Sequence, residues 1–191
     1  MLIGENLILR PLKRSDSEVV KKWRNDLETI KMAQLIRFPK TDEMDKEWWD
    51  HVLTDKSNRN IYFAVTIKSS QNIIGIIQLT NIDWISGTAV WGLIIGDKSN
   101  QGKGYGTEAA RILFDYAFNV LNLRKIFGYP IEFNKSTLRM HKKIGQFSEE
   151  GRLKKHVYFE NKYYDVLIIS IFKEEYLRNQ IPDKKRNKKQ I

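Results

Sequence analysis

Three glycines stand within five residues in the stretch Gln101-Gly102-Lys103-Gly104-Tyr105-Gly106-Thr107. An apolar run, Ala89-Val90-Trp91-Gly92-Leu93-Ile94-Ile95, precedes the stretch, and Ala109, Ala110, Leu113, Ala117, Phe118 and Leu121 follow it at three- and four-residue spacing. The expected order is therefore strand, tight loop, helix. Glycines let the chain turn sharply and leave consecutive amide N–H groups facing outward, and the helix that follows adds the positive end of its dipole. Such a seat suits an anion, and a pyrophosphate offers enough acceptor oxygens to fill it. The P-loop needs Gly-Lys followed by Ser or Thr, and the dinucleotide fingerprint needs another glycine spacing, so neither fits. A ligand-free capping loop would have the same composition.

The flanking segments define a mixed α/β chain. Residues 6 to 12 read as a strand stopped at Pro11, Ser15-Asp16 as the cap of a helix through Trp23, and Thr41-Asp42 as the start of a helix from Glu43 to Leu53. Strands are expected at 61–68, 73–82 and 88–96, forming an antiparallel meander. A strand at 124–133, a helix at 136–144 ended by Gly145, and strands at 147–158 and 163–172 complete the order. No internal repeat or linker divides the chain. One domain over residues 1–175 is expected, followed by a basic, flexible tail at 176–191.

Net charge is +10, and half of that excess lies in residues 178–191, where Arg178, Lys184, Lys185, Arg186, Lys188 and Lys189 face Asp183 alone. Concentrated there, the charge describes a solvated terminus rather than a nucleic-acid-binding surface. The chain has no cysteine, which excludes disulfides, thiolate metal sites and a cysteine nucleophile. No apolar run reaches membrane-spanning length, and Met1 to Glu5 lack a signal-peptide pattern, so a soluble cytoplasmic protein is expected.

The loop residues Gln101, Gly104 and Gly106 match the Gln/Arg-x-x-Gly-x-Gly/Ala pattern, and Asn134-Lys135-Ser136-Thr137 through Lys143-Ile144-Gly145 match an Asn-x-x-Ser/Thr helix ending in Lys-x-Gly. With Leu9-Arg10-Pro11-Leu12 and the segment from Phe147 to Gly151, this order resembles the GNAT N-acetyltransferases from about residue 6 to 173. The likeness is to the ribosomal-protein-acetylating branch. It implies a GNAT fold, a mixed, mostly antiparallel sheet whose fourth and fifth strands splay, flanked by helices. It also implies acetyl-CoA as cosubstrate, without a metal, and direct transfer of acetyl to a primary amine. Leu93, Ile94 and Ile95 would offer backbone groups to pantetheine and polarise the thioester. Gln101, Gly102, Lys103, Gly104, Tyr105, Gly106 and Thr107 would seat the pyrophosphate, with Asn134 and Lys143 completing the coenzyme site.

Relatives often carry a thiolate-protonating tyrosine seven residues after the asparagine, and here that position is His141. Imidazole holds a proton near neutral pH, although a helix histidine bonded to backbone would look the same in sequence. Glu132 and Asp83 are the candidate general bases, with a water relay as the alternative. For the acceptor, Trp23, Arg24, Arg152, Lys154 and Tyr158 resemble the pocket of enzymes acting on nucleotide-linked amino sugars, of the pseudaminic-acid pathway type. The cations would hold a UDP or dTDP diphosphate and the aromatics would stack on base or sugar. Trp23 and Tyr158 would equally serve as core residues. The basic run at 152–155 argues against a polyamine. The alternatives are a ribosomal-protein N-terminal acetyltransferase and a non-catalytic nucleic-acid-binding module. A small-molecule amine is the expected partner, and a homodimer is compatible with it.

Overall fold

The structure, a computed structural model, describes residues 1–33, 38, 40–145 and 147–180. In chain order the elements are β1 (Leu2–Ile3), β2 (Leu7–Pro11), α1 (Ser17–Arg24), α2 (Leu27–Ala33), α3 (Asp42–Thr54), β3 (Ile61–Ile67), β4 (Ile73–Asp83), β5 (Thr88–Ile95) and α4 (Tyr105–Asp115). Then come β6 (Lys125–Gly128), α5 (Lys135–Ile144), β7 (Ser148–Phe159), β8 (Lys162–Phe172) and α6 (Lys173–Gln180). The strands form one eight-stranded sheet in the order β1-β2-β3-β4-β5-β6-β8-β7. Every neighbouring pair is antiparallel except β5 and β6.

Alternation along the central strands sorts side chains between the two faces of the sheet. Phe63, Val65, Ile77 and Leu79 pack with Leu113 and Phe114 of α4 and with Phe118 in the helical turn that follows it. Their neighbours Ala64 and Ile76 turn the other way and meet Val20, Trp23 and Trp49 from α1 and α3. Burying a side chain such as Phe114 contributes about 2 kcal/mol, so these two clusters supply the main drive to fold. Small residues on α4, Ala109 and Ala110, are fully buried and bring the helix close to the sheet.

Local chemistry sets the ends of the elements. Thr41 Oγ1 accepts from the Met44 amide at 3.2 Å and caps α3, as its sequence suggests. Asp16 departs from the cap expected of it. Its carboxylate takes a two-pronged bond from the Arg10 guanidinium, both contacts at 2.8 Å, and one from the Lys13 amide. Arg10 in the Leu-Arg-Pro segment therefore ties β2 to the entrance of α1.

Three features differ from expectation. Helix α2 had no counterpart in the sequence reading. The strand expected at 124–133 stops at Gly128; Pro130 has no amide to donate, and pairing resumes only as an isolated bridge from Ile131 to Val166. Residue 175 falls inside α6, where Tyr176 is completely buried and its hydroxyl donates to Arg111 O or Asp115 Oδ1. The domain therefore reaches at least Gln180, and residues 181–191 of the expected tail lie outside the described residues.

Candidate active site

Strands β5 and β6 pair only over Thr88 to Val90 and Lys125 to Phe127. Beyond Val90 they separate, and Trp91 occupies the point of divergence. A Cβ added to Gly128 would stand 3.1 Å from Trp91 Nε1, so glycine makes room for the indole there. Among the described residues, the β6-facing edge of β5 from Trp91 to Ile95 is left without a strand partner, although β4 pairs its other edge. This is the expected splay.

The loop after β5 is fastened at its start, where Gln101 Nε2 donates to Ile95 O at 2.7 Å and the Gln101 amide donates to Lys98 O. At its far end Thr107 and Glu108 donate to Gly104 O. Among the described residues, the amides of residues 102 to 106 have no hydrogen-bond partner. Gly102 and Gly104 adopt φ of +76° and +89°, a region that disfavours any side chain, and nothing stands within 4 Å of where their Cβ atoms would be. Five unpartnered amides at a helix start, with open space beside Gly102 and Gly104, fit the pyrophosphate of a coenzyme.

A groove of about 480 Å³ runs along this loop. It brings together Leu93, Ile94, Ile95, Gln101, Gly102, Gly104, Gly106, Thr107, Asn134 and Lys143, which the sequence had placed at the coenzyme. Lys103 and Tyr105 belong to the same loop but do not line the groove; Lys103 Nζ bonds Asn100 Oδ1 and Tyr105 packs towards the core. Asn134 is a helix cap as well as a groove residue. Its Oδ1 accepts from the Thr137 amide and the Ser136 hydroxyl, and its Nδ2 donates to Met32 O of α2.

Helix α2 forms the opposite wall through Glu28, Thr29 and Met32, residues absent from the sequence reading. A signal was present. Asp26 Oδ1 accepts from both the amide and the hydroxyl of Thr29, the Asp-x-x-Thr pattern of a helix start. The Thr29 amide, Lys98 and the Thr29 hydroxyl together hold Asp26 down at about 2. Lys98 bridges Asp26 and Glu28 at 3.0 and 3.1 Å, leaving this rim one negative charge in excess.

The proposed catalytic side chains do not converge on the groove. His141 is 4% exposed, packed against Trp91 and Phe147 on the core side of α5, and neither ring nitrogen has a partner among the described residues. Burial pushes its pKa down to about 4, so the ring is neutral at pH 7, and a proton-donating role finds no support in this placement. Asp83 closes the β4–β5 hairpin by accepting from Ile85 and Ser86. It therefore sits at the end of β5 remote from the loop, about 23 Å away along the strand. Glu132 accepts from the Asp165 amide and from Arg152, bracing the Ile131–Val166 bridge.

The acceptor residues inferred from the sequence are likewise engaged elsewhere. Trp23 belongs to the α1–α3 cluster and lies over Gly96. Arg24 bonds Asp45 at 2.7 Å and stacks over Trp48. Arg152 is ringed by Glu132, Glu149 and Asp165. Lys154 lies exposed on β7, and Tyr158 donates to Asn161 in the β7–β8 hairpin. A diphosphate would have to compete with carboxylates for both guanidinium groups.

The acetyltransferase (GNAT) domain family matches residues 6–146. The chain belongs to that family. It is an N-acetyltransferase of the GNAT type, with acetyl-CoA as the acyl donor. It is 27% identical over 175 residues to the spermidine N(1)-acetyltransferase of Vibrio cholerae, spanning 92% of this chain and 98% of that protein. An SPbeta prophage-derived N-acetyltransferase of Bacillus subtilis, YokL, is also 27% identical, over 92% of this chain and 95% of its own length. The crystal structure of the Vibrio cholerae spermidine N-acetyltransferase in complex with CoA and spermine superposes with a TM-score of 0.81 at 27% identity, covering 91% of this chain and 99% of that one. Among the described residues no helix is long and apolar enough to cross a membrane, and no cluster of three or more His, Asp or Glu side chains could hold a metal.

Proposed function

We propose that the acceptor is a primary aliphatic amine of the polyamine class, with spermidine as the first candidate. The observation that carries this reading is the state of the cations: Arg24 and Arg152, the guanidinium groups on which a nucleotide-linked sugar would depend, are each paired with carboxylate. The basic run at 152–155 thus loses its force against a cationic substrate, because Arg152 is more than neutralised by its neighbours. The rim formed by Asp26, Glu28 and Lys98 keeps one negative charge beside the groove, which suits an ammonium group. Likeness to spermidine acetyltransferases over more than nine-tenths of the chain supports the same acceptor.

Transfer needs a neutral amine beside an oriented thioester, and a donor to the carbonyl oxygen. Bound acetyl-CoA supplies the activated acetyl group. The free edge of β5 offers fixed backbone N–H groups to the donor, and the free loop amides would hold its pyrophosphate. Wall α2, tied to α5 through Asn134 and Met32, confines the acceptor from the other side.

The test is acetyl-CoA turnover with spermidine, a UDP-linked amino sugar and an N-terminal ribosomal peptide in parallel, read by thiol release and product mass. Spermidine is expected to be acetylated, with its KM unchanged in Arg152→Gln. Turnover of the sugar or the peptide with spermidine inert would overturn the proposal.

A further inference from the structure

The two faces of the sheet differ at the point where β5 and β6 part. On the α4–α5 side the buried Trp91 indole closes that point, edge-on against Phe114 with ring centroids 5.0 Å apart and against His141 at 5.4 Å. An amine that attacks a thioester lying along the free edge of β5 must therefore come over the opposite face. That face is the one covered by α1 and α3 farther along the strands.

Strand alternation determines what lines the approach. Ile76 of β4 packs with α1 and α3, so Gln78, two residues on, points the same way about 7 Å farther along the strand. Gln78 pairs with Gly92, the second residue of the free edge. The side chain that Gly92 lacks leaves room for the carboxamide to lean over the edge: a Cβ there would stand 3.3 Å from Gln78 Nε2 and 3.5 Å from its Cγ. Gln78 is half-buried, and neither end of its amide has a hydrogen-bond partner among the described residues. The hydroxyl of Tyr62, its neighbour across β3, has none either. A polar group withdrawn from water without a partner costs free energy that a bound donor can restore.

We propose that the Gln78 carboxamide binds the acceptor at its reacting nitrogen, Oε1 accepting one N–H of the neutral primary amine so that the lone pair faces the thioester carbonyl carbon. The nitrogen–carbon bond forms and the carbon–sulfur bond breaks; the sulfur leaves as thiolate and takes up one proton, and the nitrogen gives up one to solvent. Gln78 carries neither proton, because a carboxamide stays neutral throughout; it holds and aims the amine. Its neutrality also matters. A carboxylate in the same place would hold the amine as the unreactive ammonium. The assignment rests on the amine-acceptor reading above and adds to it the residue that recognises the attacking atom.

The experiment compares the native chain with Gln78→Leu, which keeps the bulk and removes the hydrogen bond, and with Thr80→Val as a control. Thr80 follows Gln78 on the same face, at the level where β5 and β6 are still paired through Val90. In Gln78→Leu, kcat/KM for spermidine is expected to fall about five- to tenfold, the loss of one hydrogen bond to the reacting nitrogen. Acetyl-CoA affinity by calorimetry and the urea midpoint are expected to stay at native values, and Thr80→Val to behave as native throughout. An unchanged kcat/KM for spermidine in Gln78→Leu, an equal loss in Thr80→Val, or a parallel loss of acetyl-CoA affinity would overturn the assignment while leaving the acceptor class intact. A native chain that leaves spermidine unacetylated would overturn both.

Discussion

Trp23 provides a quantitative test of the division between core and pocket. A Cβ placed on Gly96 would lie 2.1, 2.2 and 2.6 Å from Cδ2, Cγ and Cε2 of the Trp23 ring. Ordinary carbon contacts are about 3.5–4.0 Å, so Gly96→Ala creates an overlap of roughly 1.5 Å. The ring cannot simply withdraw, because Val20, Trp49, Ala64 and Ile76 surround it. Nor can the backbone, since the Gly96 amide donates to Ile74 O at 2.9 Å. Overpacking of this kind costs about 1–3 kcal/mol. Trp23→Ala alone should cost about 3–5 kcal/mol. With the indole gone, Gly96→Ala has no clash left, and φ at this position is not in the left-handed region. Alanine there should then be neutral or stabilise by about 0.5 kcal/mol through the unfolded chain. The two substitutions should therefore be coupled by about 2 kcal/mol, measured as a double-mutant cycle in urea unfolding. Additive effects would refute the packing account. So would an unchanged stability in Trp23→Ala accompanied by a raised acceptor KM, the behaviour of a ring that stacks on substrate.

Two further outcomes follow from the site. His141 is held neutral, with its pKa moved from about 6.5 down to about 4, so below pH 6.5 the unfolded chain takes up a proton that the native chain refuses. Its contribution to stability is complete above pH 6.5 and is lost as pH falls towards 4, by about 3 kcal/mol; the difference between native and His141→Phe unfolding free energies at pH 7 and pH 4.5 measures it, and parallel pH profiles would contradict it. Gly104→Ala meets no neighbour but must hold φ near +89°, at about 1–2 kcal/mol; urea unfolding should show that loss and calorimetry a large drop in acetyl-CoA affinity, whereas native-like binding would mean the loop amides are not the seat.

The elements that sequence describes well are those whose signal is local. The run of aromatic and β-branched residues at 61–67 marks a strand buried on both faces, helical spacing from Ala109 to Phe118 reports which face of a helix is buried, and the glycines at 102 and 104 report a backbone that no other residue accepts easily. Helix α2 is short, and its start depends on one side-chain cap, Asp26 with Thr29, so hydrophobic spacing gives it little weight. The candidate side chains failed for another reason. Arg152 is neutralised by residues 3, 13 and 20 positions away that belong to different segments, and no pattern along the chain displays that ring of acids. His141 was expected as a proton donor only through resemblance, and its environment is made by Trp91 and Phe147, one of them 50 residues distant. Sequence reveals which groups have chemistry; their pairing decides whether that chemistry is available.

The basic residues of β7 have a consequence beyond the reaction. Among the described residues, strand β7 is the outermost strand on its side of the sheet, and its twelve residues present a long edge of backbone groups. Register breaks between Leu153 and Val157, Lys155 takes φ of +49°, and Lys154 and Lys155 point their charge into solvent along the break. A bulge and two adjacent ammonium groups spoil both the hydrogen-bond spacing and the electrostatics that a docking strand would require. At the opposite border β1 has only two residues and offers almost nothing to copy. Both margins of the sheet thus disfavour growth by strand addition.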